Sequence, residues 1–196
     1  MKPAAPKTAA PKTAAPKTAA PKTAAPKTAA PKTAAPKTAA PKSTVRWRVA
    51  TAADHAAIVA RSLALFHEDP GTKPMTAARV RRTLAVLERE PARGVAVVAV
   101  AGRDVVGYAL LVSFLSNELH GEVCTIDEFY VDEGWRGGGV GTSLMTALMA
   151  GRIRRFRGAV ALELEVTPRN RRARALYERL GFAPRKNATM RLLRAG

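Results

Sequence analysis

Apolar residues recur with two different periods across residues 44–196. Over 44–50 they alternate, with Val45, Trp47 and Val49 on one side and Arg46 and Arg48 on the other, the spacing of a strand. The next stretch steps by three and four. Ile58, Leu63 and Phe66 share a helical face behind Thr51 or Asp54, either of which suits a helix cap. HEDPGTKP is a loop. Thr76 then caps a second helix, Ala77–Arg89, with Val80, Leu84 and Leu87 at helical spacing.

Beyond residue 94 the period changes. VAVVAVAGRDVVGYALLVSFL reads as two apolar strands joined by a turn at Ala101, Gly102, Arg103 and Asp104. EVCTIDEFYV is a further strand. A glycine loop follows, then a helix over 140–154, a strand over 159–166 and a helix in NRRARALYERLGF closed by Gly181. ATMRLLR is the last expected strand. The order β-α-α-β-β-β-α-β-α-β predicts an α/β fold of the α+β type, a mixed sheet with helices on both faces. A dinucleotide-binding fold would carry its glycine loop after the first strand, whereas here it follows the fourth. A phosphate-binding P-loop would need Gly-Lys-Ser/Thr after the glycines, and none is present.

Composition separates residues 1–43 from this pattern. The pentad PKTAA runs seven times between Pro6 and Ala40, without an aromatic, a branched aliphatic or an acid. Such a segment cannot bury enough apolar surface to offset its ordering entropy. Residues 1–43 are therefore expected to be a disordered basic arm, and 44–196 the folded domain. The formal net charge is +18, and nine lysines of the arm supply half of it. Evenly spread lysines suit non-specific, salt-dependent contact with nucleic acid, and a solubilising spacer is the plainer reading. No apolar run approaches membrane-spanning length, so no membrane partner is expected and a cytoplasmic location is. One cysteine and three scattered histidines give no ligand spacing, so no metal is expected.

Two motifs carry the chemistry. The first is Arg136-Gly137-Gly138-Gly139-Val140-Gly141 after a strand ending DEFYV. The second is Asn170, Ala173, Tyr177, Gly181 and Phe182 in NRRARALYERLGF. In this order and spacing the chain resembles the GNAT superfamily of acyl-CoA N-acyltransferases over nearly all of 45–193. The strand TIDEFYV is also similar to that of spermidine/spermine N-acetyltransferases, and the arm is similar in composition to linker-histone tails.

The resemblance implies direct transfer of acetyl from acetyl-CoA to a primary amine in a ternary complex. It implies that backbone amides of Gly137, Gly138, Gly139, Val140, Gly141 and Thr142 wrap the CoA pyrophosphate at a helix N-terminus, with Arg136 neutralising phosphate charge. Val131 N–H would serve the acyl oxygen, Tyr177 would protonate the leaving thiolate, and Asn170 would bond the pantetheine arm or cap its helix. The NRRAR cluster places cations at a helix start, where they are unfavourable. That points Arg171 and Arg174 at the CoA 3′-phosphate. For the base, Asp127 and Glu128 compete. Strict alternation sets Asp127 with Thr125 and Phe129, and Glu128 with Ile126 and Tyr130, and a bulge would change these faces. Asp127 is the first choice for base or amine anchor and Glu128 the second. Glu68, Asp69, Glu118 and Glu122 would join them along the acceptor cleft, which favours a small cationic amine. The alternative is a nucleic-acid-associated protein that binds acyl-CoA or acetylates protein lysines. The sequence leaves the oligomeric state open, a homodimer included.

Overall fold

The computed structural model describes residues 44–187 and 189–192, so the repeat arm lies outside the described residues. The elements are β1 Val45–Val49, α1 His55–Glu68, α2 Ala77–Arg89, β2 Gly94–Ala101, β3 Asp104–Ser116, β4 Gly121–Val131, α3 Val140–Met149, β5 Ala161–Leu164 and α4 Arg171–Arg179. The sheet order follows the chain, β1-β2-β3-β4-β5. The first four strands are antiparallel and β5 joins β4 in parallel.

The alternation in β2 and β3 sorts the two faces. Val97, Ala109 and Leu111 point to one side, where they pack with Leu144, Met145 and Leu148 of α3 and Tyr177 of α4. Ala96, Val98, Tyr108 and Leu110 point to the other, against Ile58 and Val59 of α1 and Val80, Leu84 and Leu87 of α2. Each fully buried branched aliphatic contributes about 1.5–3 kcal/mol relative to exposure, so both faces hold their helices firmly. Thr76 caps α2 as expected, its hydroxyl accepting from Arg79 N–H at 3.3 Å. The β2–β3 turn closes with Ala101 opposite Asp104.

Four expectations need correction. The helix expected over 140–154 ends at Met149. Ile153 and Phe156 are apolar and buried, and the chain bends after Ala150 to bring them into the core. The arginine run RIRRFR therefore does not close a helix. Arg155 instead pairs with Glu122 at 2.7 Å. The strand expected over 159–166 is shorter, because only Ala161–Leu164 pair with β4. Within the expected last strand the described residues 189–192 form no strand, and Met190 and Leu192 are exposed. Finally, Val49 is exposed, while Arg48 turns inward to the buried Asp54.

Candidate active site

The centre of the site is an irregularity in β4. Glu128 stands opposite Leu110 and Ile126 opposite Leu111, which leaves Asp127 as an extra residue between them. This is a β-bulge, two residues of one strand against one of its partner. Ile126 packs in the α3/α4 core. Two residues on, Glu128 stands opposite Leu110 on the α1/α2 face. Simple alternation fails here, because the inserted residue breaks the two-residue period. The charge of Asp127 bears on Glu128 across the bulge.

The two acids differ in surroundings. Glu128 is 9% exposed. Its Oε2 accepts from Ser62 Oγ of α1 at 2.9 Å and from Tyr108 Oη of β3 at 2.5 Å. Among the described residues no hydrogen bond is made to Oε1. Burial raises the carboxyl above its ordinary value, the two hydroxyls oppose that, and Asp127 reinforces it. Asp127 touches solvent, yet loss of hydration, then Glu165, raises its carboxyl as well, while Arg191 opposes. Neither acid takes part in a salt bridge among the described residues, so neither is an ion-pair partner of the arginine-rich helices.

This bulge sits where β5 leaves the sheet. The pairing of β4 with β5 ends at Ile126 opposite Leu164. Asp132 N–H donates to Val106 O at 2.9 Å, and amides alternate in an antiparallel ladder. The N–H of Val131 therefore points away from β3, toward the side that β5 has vacated.

The glycine loop follows. Gly139 has φ 83° at the start of α3 and Gly137 has φ 80°. Both lie in the left-handed region that favours glycine. Gly139 offers no side-chain cap. The first bond into the helix start is Ser143 N–H to Gly139 O at 2.9 Å, so the amides of Val140, Gly141 and Thr142 have no partner within the helix. Gly141 serves a different need: a Cβ there would lie 2.9 Å from Leu176 Cδ2 and 3.3 Å from the Phe129 ring. That glycine lets α3 pack closely on α4 and β4.

Arg136 is already engaged. It donates through Nε to Val131 O at 2.7 Å and through Nη2 to Glu68 Oε1 at 2.8 Å, and it lies 4.9 Å over the Tyr130 ring. Tyr130 Oη reaches the same Glu68 oxygen at 3.0 Å. Arg136 thus ties α1 to the loop. The guanidinium that lies against the loop is that of Arg172, 3.1 Å from where a Gly137 Cβ would be. Arg174 pairs with Glu178 at 2.9 Å, and the Arg171 guanidinium makes neither a hydrogen bond nor an ion pair among the described residues. Asn170 caps α4, its Oδ1 accepting from Ala173 N–H at 3.1 Å. Tyr177 is 8% exposed, meets Phe182 edge-on at 5.7 Å between centroids, and burial pushes its phenol up to about 12. Of the other acids, Glu122 is held by Arg155 and Ser113 at the start of β4, away from the bulge, and Asp69 accepts from Thr167 at 2.9 Å.

A family model described as the acetyltransferase (GNAT) family matches residues 60–182. The chain belongs to the GNAT acetyltransferase family. It is an acyltransferase, and the family uses acetyl-CoA as co-substrate. Solved structures agree on the fold. A possible acetyltransferase from Clostridium difficile 630 is 20% identical, with TM-score 0.66 over 78% of this chain and 99% of that one. A ribosomal-protein-alanine N-acetyltransferase from Brucella melitensis biovar Abortus 2308 is 16% identical, with TM-score 0.60 over 76% of this chain and 100% of that one. A transcriptional regulator from Bacillus halodurans C-125 is 23% identical, with TM-score 0.61 over 76% of this chain and 100% of that one. At these identities the likeness speaks for the fold alone. No curated protein sequence matches the chain.

The residues of this GNAT acetyltransferase fit an acyl-CoA. Uncapped amides at the start of α3 and a loop free of side chains suit a pyrophosphate. Sequence reading missed Ser62, Tyr108 and Arg172. Ser62 and Tyr108 looked like a helix polar position and a strand aromatic. Only the bulge brings Glu128 to them. Among the described residues no helix is long and apolar enough to cross a membrane.

Proposed function

We propose that this GNAT acetyltransferase acetylates a cationic primary amine, with Glu128 as general base and Asp127 as amine anchor. The observation that carries the reading is the bulge, which puts the adjacent acids Asp127 and Glu128 where β5 parts from β4. An alkylammonium has a pKa near ~10.4 in water and must lose a proton before it can attack. Two neighbouring carboxylates that form no salt bridge among the described residues attract such a group. Glu128 has an oxygen without a hydrogen bond and a carboxyl raised toward the working pH, which suits a base. Asp127, at the solvent side, suits the positive charge. This order reverses the one favoured by the strand pattern alone.

Bound acetyl-CoA supplies an activated thioester. The amides of Val140, Gly141 and Thr142, with Arg172 beside Gly137, would hold its phosphates. The Val131 N–H would receive the acyl oxygen, and Tyr177, protonated at neutral pH, would supply a proton to the departing sulfur. Asn170 acts through the α4 start that it caps. Arg136 acts by fixing the loop against α1.

A thiol-release assay with acetyl-CoA and a panel of small amines tests the reading. Turnover is expected to favour cationic amines, and Glu128→Gln is expected to lower kcat/KM by about 10²–10⁴-fold. Full activity in Glu128→Gln would remove the base assignment. Equal rates for neutral and cationic amines would remove the substrate class.

A further inference from the structure

We propose that Ser62 and Tyr108 are positioning residues, a pair of hydroxyls from separate elements that clamp one oxygen of Glu128 and present the other to the acceptor amine. The inference rests on the reading of Glu128 as base.

Both donors converge on a single atom. Ser62 Oγ from α1 and Tyr108 Oη from β3 reach Oε2, and Oε1 receives no hydrogen bond among the described residues. Ser62 and Tyr108 are both fully buried. Two anchors on one oxygen fix the last torsion of a glutamate, which is otherwise broad. The remaining oxygen then has one direction. A base whose geometry is held by neighbours in this way needs no reorganisation when the proton moves.

The chemistry of the donors matters as much as their position. An arginine in their place would hold the carboxylate too firmly ionised to accept a proton well. Aliphatic side chains would leave burial unopposed and keep the carboxyl protonated. Neutral hydroxyls stand between these limits, since each favours the charged form by one hydrogen bond. The titratable and charged groups that act on Glu128 are Tyr108 from β3 and Asp127 from β4, and α1 contributes the Ser62 hydroxyl. No cation is among them. Burial, followed by the Glu128 charge, drives the Tyr108 phenol upward, so it remains a donor at any working pH. In the step itself an amine N–H bond breaks and an Oε1–H bond forms, while both hydroxyls keep their protons.

The test uses the full chain and two substitutions that preserve packing, Tyr108→Phe and Ser62→Ala. Carboxyl NMR on protein labelled at glutamate, with Glu128→Gln identifying the signal, follows the titration without turnover. Each substitution is expected to raise the Glu128 midpoint by about one unit. The acid limb of the kcat/KM profile for thiol release should move with it, an approximately tenfold loss at a pH on that limb. The plateau should change less. If the Glu128 signal and the limb stay in place in both folded variants, the clamp is overturned and the base reading stands. If Glu128→Gln turns over normally, the base reading falls and takes the clamp with it.

Discussion

Asp54 and Glu128 are both buried carboxylates, 6% and 9% exposed, and they are treated in opposite ways. Asp54 sits in the turn before α1. Both its oxygens receive Arg48, each at 2.7 Å, and Thr51 adds its amide at 2.8 Å and its hydroxyl at 2.9 Å. These contacts, the Arg48 hydrogen bond first, hold its carboxyl far below the ordinary range. Glu128 receives two neutral hydroxyls, and burial, with the charge of Asp127 adding to it, raises its carboxyl. The first acid is satisfied by a cation and joins β1 to α1. The second is left without a cation among the described residues, an arrangement that costs stability and that fits the proposed task as base. Burial alone therefore does not separate the two acids. What surrounds the charge does.

The contrast can be broken most severely at Asp54. Asp54→Ala strands Arg48, and the loss should approach about 2–3 kcal/mol, below the usual cost of splitting a buried pair because Arg48 keeps solvent contact. Chemical denaturation measures it. Glu128→Gln should do the reverse at pH 7, leaving stability unchanged or raising it by up to about 1 kcal/mol while activity falls. The two acids should also separate by pH. The folded pKa of Asp54 is depressed, so its contribution is present above the unfolded value near ~3.9 and is lost as pH falls. That of Glu128 is raised, so its contribution is fully present only below the unfolded value near ~4.3 and is lost as pH rises through the folded one. The gain in Glu128→Gln should thus vanish by about pH 4 in a series of melts. The smallest change is expected from Asp127→Asn. This solvent-touching residue should alter stability by no more than about 0.5 kcal/mol, while KM for a cationic amine rises. An unchanged KM would argue against Asp127 as anchor.

Most elements were legible because their periodicity is clean. Thr76, the Gly102 turn and the Asn170 start all lie where local chemistry puts them. The long helix over 140–154 was misread because Ile153 and Phe156 continue the apolar content while the backbone has already left the helix. The glycine loop and β4 could be picked out as the candidate site from their motifs. The roles within it could not be read in full. A bulge leaves no mark in an alternating pattern except a pair of adjacent acids, and the partner of Glu128 on β3 is twenty residues away in the chain. The arginine beside Gly137 is likewise set by geometry that the motif does not display. In RNRRAR only the helix phase decides which arginine turns to the loop, and it is Arg172.

The attachment of α1 to the glycine loop has a mechanical consequence. Arg61 pairs with Asp132 at 2.6 Å and Glu68 pairs with Arg136 at 2.8 Å. These struts leave the helix about two turns apart and land on either side of the turn that enters the loop. A helix braced at two points cannot rotate independently of what it is braced to. Ser62 rides on that helix beside the first strut, so a force applied at the loop is delivered to the oxygen that Ser62 holds.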